Sequence, residues 1–210
     1  KMYYQVKNFS YRPANFTISG NVRFEYMETL DATLSNAWPI NRQEAYEGSV
    51  RHLLRSLVDS ALTIEGFALY KDETSQKHIL RQSDLEANVG KGITYLPQVQ
   101  LEEVSPNNFK VYLPARLEVH YLNQVAYAKI YRNVNHPVSW LEVSGGYLFV
   151  NGMGIVLNPS KLVLSGKMSE ARIAELLPYD FQAGRRDLLK KKPREFKKDE
   201  VNSLSFLIEK

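Results

Sequence analysis

The chain has 210 residues, 44% of them hydrophobic and 24% charged, enough to bury a substantial core and too apolar to be disordered throughout. It has no cysteine, which excludes disulfides, thiol nucleophiles, thiolate zinc sites and iron–sulfur clusters. Its formal charge of +4 is concentrated in the 14-residue stretch Arg185–Lys198, which carries eight basic and two acidic residues and leaves 19 basic against 21 acidic elsewhere.

The first predicted element is a hairpin. Asn15–Ile18 and Asn21–Met27 flank Ser19-Gly20, a two-residue turn signal, and Val22, Phe24 and Tyr26 alternate with Asn21, Arg23 and Glu25. Residues 28–41 are polar and small and end in Trp38-Pro39-Ile40, which reads as a loop. A long amphipathic helix is then expected over about 42–64. Asn41 and Glu44 form a capping box, and Val50, Leu53, Leu54, Leu57, Val58, Ala61 and Leu62 make one apolar stripe that stops at Gly66.

Strands are expected at Phe67–Tyr70, Tyr95–Val104, Phe109–Leu113, Arg116–Leu122 and Val125–Val134, with a short helix around Gln76–Arg81. Trp140–Leu164 reads as a meander punctuated by Ser144-Gly145-Gly146, Asn151-Gly152 and Asn158-Pro159-Ser160. Asn151-Gly152 is a type I′ turn signal, and the nearly continuous apolar runs around it suggest strands covered on both faces. Ser169 caps a short helix, Glu170–Leu177, ended by Pro178. Val201–Ile208 alternates as a closing strand, so the basic segment is expected to be tethered at both ends.

These elements imply an α+β fold, a mostly antiparallel sheet built from hairpins with the long helix packed on it. A single domain is expected over 1–180, with the basic segment 185–198 and the closing strand of 181–210 belonging to it.

The basic stretch is the strongest functional feature. Arg185, Arg186, Lys190, Lys191, Lys192, Arg194, Lys197 and Lys198 would neutralise phosphates or face an acidic neighbour, and the stretch holds no base-reading motif, so backbone contacts are expected. Gly146–Val150 has aromatics at alternate positions, as the central strand of an RNA-recognition module does. Gly145, Leu148 and Gly152 stand where that pattern needs a basic, a small and an aromatic residue, so Tyr147 and Phe149 are expected in the core.

Gly90-Lys91-Gly92 lacks the partners of a phosphate-binding loop, because Leu85 and Gly92 stand where glycine and Ser or Thr are required. His52, His78, His120 and His136 show no helical metal-ligand spacing, and there is no Gly-x-Ser-x-Gly elbow. Neither a metal, a cofactor nor a catalytic set is indicated.

The expected function is a non-catalytic structural subunit of a nucleoprotein or virus-like assembly. It would contact an anionic partner through the basic segment, with other protein subunits as partners and no membrane or small-molecule substrate. A stand-alone nucleic-acid-binding protein is the first alternative, and a hydrolase or transferase without a linear motif is the second. No run approaches the ~20 apolar residues of a spanning helix, and the expected location is the cytoplasm or a particle assembled there.

Overall fold

The computed structural model describes residues 1–12, 15–25, 27–28, 30–72, 93–125, 134–171 and 175–183. The chain divides into two compact units: residues 1–45 with the described residues of 172–181, and 46–171 with those that follow 181. The fold is α+β and every described strand pairing is antiparallel.

The first unit holds a ribbon of β1 (Met2–Arg12) and β2 (Asn15–Phe24), in register from Met2 opposite Phe24 to Arg12 opposite Asn15. Ser19-Gly20 is therefore mid-strand, and the expected turn there is corrected. The register shifts between Val6 and Asn8, opposite Gly20 and Ser19, so Lys7 is the extra residue of a bulge. Glycine is needed at position 20, where a Cβ would lie 2.2 Å from the Gln5 carbonyl oxygen. The predicted alternation of β2 survives, with Val22 and Phe24 half-buried while Asn21, Arg23 and Glu25 are exposed.

Helix α1 (Ala32–Tyr46) occupies most of the expected loop and carries Pro39 inside it. Its cap is Asp31, whose Oδ1 accepts from the backbone N–H groups of Thr33 at 2.8 Å and Leu34 at 3.3 Å.

The single helix expected over 42–64 is instead the end of α1 followed by α2 (Val50–Val58). Gly48 sits at φ +73°, which breaks the helix, and Ser49 caps the next one by accepting from the His52 N–H at 3.2 Å. Asn41 lies within α1 rather than at a helix start. Beyond Asp59, the C-cap of α2, Ser60 adopts φ 54° and the chain turns away, well before the glycine at 66. The apolar stripe itself is as expected: Leu53, Leu54 and Leu57 are buried, and Val50, Val58 and Leu62 pack at the core's edge.

The second unit contains two sheets. Strands β3 (Phe67–Asp72), β4 (Ile93–Tyr95), β7 (Arg116–Tyr121), β8 (Val138–Val143) and β10 (Leu162–Gly166) form one, in the order β10-β8-β7-β3-β4. Strands β5 (Gln100–Ser105), β6 (Asn108–Tyr112) and β9 (Tyr147–Asn151) form the other, in the order β5-β6-β9. The strand expected over Tyr95–Val104 is thus two, split between the sheets.

One core joins α2 to both sheets through Leu53, Leu57, Leu69, Leu117, Leu141, Val111, Leu148 and Val150. β8 is buried on both faces, as the apolar runs of Trp140–Leu164 suggest, and so is β7 although its sequence alternates, whereas in β9 buried and half-buried residues alternate. Asn151-Gly152 is not a type I′ turn, because neither residue has positive φ. The Asn151 side chain instead accepts from the N–H groups of Met153 and Ile155, and Gly154 takes the left-handed position at φ +76°.

The helix expected from Glu170 is replaced there by a 3-10 turn, Lys167–Glu170, with Ser169 inside it donating to the Gly166 carbonyl. The expected helix at 76–81 and closing strand at 201–208 lie outside the described residues, as does nearly all of the strand expected over 125–134.

Candidate functional site

Alternation along β9 splits its residues between two environments. Leu148 and Val150 are fully buried, so Tyr147 and Phe149 project from the other face and are only half-buried. This corrects the expectation that these aromatics are core. In the adjacent strand Tyr112 stands opposite Tyr147 and Lys110 opposite Phe149. The rings of Tyr147 and Phe149 meet edge to face at 5.4 Å.

Two ammonium groups lie on these rings. Lys110 Nζ is 4.5 Å from the Tyr112 centroid and 4.7 Å from that of Tyr147. Lys161, the last residue of the 3-10 turn that leads into β10, places its Nζ 3.6 Å from the Tyr147 centroid. The Lys161 ammonium beside Tyr147 favours the phenolate form, which holds that hydroxyl below the ordinary tyrosine value. The Tyr112 hydroxyl holds the Lys110 ammonium above the ordinary lysine value. β5 bounds this face with acid, for Tyr112 Oη donates to Glu102 Oε2 at 2.8 Å.

A second constellation lies on the other sheet, on the face turned away from α2. Cross-strand pairing sets Tyr70, Glu118 and Trp140 in one row, and Ala68, His120 and Val138 in the next. Glu118, fully buried, accepts from the indole Nε1–H of Trp140 at 2.9 Å, and its other oxygen is 2.8 Å from His120 Nε2. His120 Nδ1 lies 2.8 Å from Nε2 of His136, which is half-buried. With Glu118 accepting from the His120 Nε2–H, His120 Nδ1 is the acceptor that faces His136 Nε2. At the end of the same face Arg116 Nε donates to Asp72 Oδ2 at 2.8 Å and its Nη1 to Glu142 Oε1 at 3.1 Å.

His52 is a third case. Its Nδ1 accepts from the Gly48 N–H at 3.1 Å, which fixes the proton on Nε2, 3.1 Å from Glu65. The ring packs against Tyr46, Phe67 and Tyr121 and pins the break between the helices.

Burial pushes the hydroxyl pKa values of Tyr70 and Tyr46 upward, helped at Tyr70 by Tyr95 and Glu118. A folded tyrosine that keeps its proton longer than the unfolded chain stabilises fully below the ordinary value of 10.0, and that contribution is lost as pH rises through the folded value. The unfolding midpoint is therefore expected to fall more steeply above pH 10.0 for the parent chain than for Tyr70→Phe. Thermal melts of both proteins between neutral and alkaline pH check this.

Arg185, Arg186, Lys190, Lys191, Lys192, Arg194, Lys197 and Lys198 lie outside the described residues, as do His78 and Gly90-Lys91-Gly92. Sequence spacing gave no hint that His120 and His136 meet. Among the described residues no group of three or more histidines and carboxylates is placed to hold a metal ion, and no helix is long and apolar enough to cross a membrane. Compared with known proteins, the chain matches no family model, no curated protein and no solved structure.

Proposed function

We propose that the protein is a non-catalytic subunit of a nucleoprotein or virus-like assembly, acting in the cytoplasm or in a particle assembled there, and that it holds an anionic partner. The observation that carries this reading is the pair of ammonium groups, Lys110 and Lys161, gathered over Tyr147 on the outward face of β6 and β9. The basic segment adds eight cationic residues, Arg185, Arg186, Lys190, Lys191, Lys192, Arg194, Lys197 and Lys198. Cationic groups of this kind attract phosphate or carboxylate polymers and release their counterions on contact.

A structural role for the acid–base residues supports the non-catalytic part. Glu118, His120, His136 and Trp140 hydrogen-bond to one another, and Arg116 ties Asp72 on β3 to Glu142 on β8. These groups stitch neighbouring strands together. The free-standing nucleic-acid-binding protein is a second reading, favoured by the same two lysines.

Retention of the purified chain on immobilised heparin tests the proposal. Retention at low salt that declines steeply as salt rises is the expected result, with earlier elution once Lys190, Lys191 and Lys192 are alanine. Passage without retention at low salt would overturn it. Sedimentation with and without nucleic acid then separates the two readings: an assembly subunit forms particles of many copies, a free-standing binder a complex of few.

A further inference from the structure

We infer that the face formed by Lys110, Tyr112, Tyr147, Phe149 and Lys161 binds single-stranded nucleic acid, with bases on the rings and phosphates on the ammonium groups. This rests on the anionic-partner reading and names the partner.

The argument begins with the rings. An acidic protein surface would be met by lysines standing in water and has no use for three aromatic side chains on the same face. The faces of those rings carry negative electrostatic potential and repel carboxylates. Nucleic acid is the polyanion that also carries π faces, so cation and ring together select it. Paired duplex bases keep their π faces stacked inside the helix, whereas unpaired bases present them.

The geometry fits that ligand. Tyr147 and Phe149 are two residues apart on β9 with ring centroids 5.4 Å apart and planes at 72°, so each ring offers a surface of its own to a base. Tyr112 stands beside Tyr147 on β6 and widens the platform. The lysines lie on the rings that a base would cover, 3.6 Å away for Lys161 on Tyr147. They are within reach of the phosphate that accompanies each base, so binding exchanges an exposed cation–π contact for an ion pair and a base stack. Glu102, opposite Lys110 and hydrogen-bonded to Tyr112, sets the acidic boundary. The strand would therefore cross β6 and β9 towards Lys161 and stay clear of β5.

Fluorescence anisotropy on the full chain tests this with four probes: oligothymidine of about 15 nucleotides, an abasic oligomer of equal length and charge, a duplex and polyglutamate. The base-bearing single strand should bind about tenfold tighter than the abasic one. Tyr147→Ala and Phe149→Ala should each remove most of that difference between the base-bearing and abasic strands. Tyr147→Phe, which keeps the ring, should retain it, and this guards against a folding defect. Equal binding of the base-bearing and abasic strands, or preference for duplex or polyglutamate, would overturn the stacking inference while leaving the anionic-partner reading intact. Failure to bind any of the four would overturn both.

Discussion

Replacing Glu118 with alanine is expected to lower the unfolding free energy by about 3–5 kcal/mol, from two buried donors left without an acceptor together with the cavity left behind. Glu118 is wholly buried at the centre of β7 and serves both the Trp140 indole N–H and His120. Alanine leaves a buried donor and an imidazole without their acceptor, and a void where the side chain stood. Glu118→Gln is expected to cost only about 1 kcal/mol. Its amide oxygen still accepts from Trp140, and its NH2 donates to His120 Nε2 once the His120 proton moves to Nδ1, where it is donated to His136. Chemical denaturation followed by far-UV circular dichroism measures both variants. Equal losses for alanine and glutamine would show that the carboxylate does not organise this face.

Gly154→Ala is expected to cost about 3–4 kcal/mol, more than positive φ alone explains. The residue sits at φ +76°, and a Cβ there would lie 2.2 Å from the Arg51 carbonyl oxygen and 2.8 Å from the Arg55 nitrogen, both backbone atoms of α2. The turn cannot retreat freely, because Arg51 Nε donates to the Met153 carbonyl at 3.1 Å and Asn151 holds the turn from within. Gly145→Ala is the control. It has a similar φ of +81°, but its nearest neighbour is the mobile end of Lys161 at 3.5 Å, so only backbone strain of about 1–2 kcal/mol is expected. Similar melting points for the two variants would mean that the approach to α2 is not the constraint.

The fold class was legible because it depends on local alternation. Val22 and Phe24 mark an inward face of β2 and the Leu53–Leu57 stripe a buried face of α2, both revealed by periodicity, whereas the unbroken apolar run of β9 hid which of its faces is buried. Helix α1 was hidden by the absence of such a stripe and by Pro39, although Asp31 was a usable N-cap signal. The helix break was visible in principle, since Gly48-Ser49 is a stop followed by a start, but the apolar stripe beyond it masked the interruption.

The ribbon was misregistered because Ser19-Gly20 has turn chemistry, whereas the strand uses glycine to let the Gln5 carbonyl approach. Most of the candidate site was not legible. Lys110, Tyr147 and Lys161 meet only through sheet pairing and a returning loop, and nothing in their spacing announces it. His120 and His136 are separated by 16 residues and joined by tertiary structure alone.

The order in which the chain visits the two sheets of the second unit has a thermodynamic consequence. It passes from β4 to β5, returns from β6 to β7, leaves again from β8 to β9 and comes back at β10. Among the described strands of this unit, no contiguous stretch holds every strand of one sheet without strands of the other. A truncation therefore cannot release either sheet as an autonomous piece, and the two are bound to form and melt together as one cooperative event.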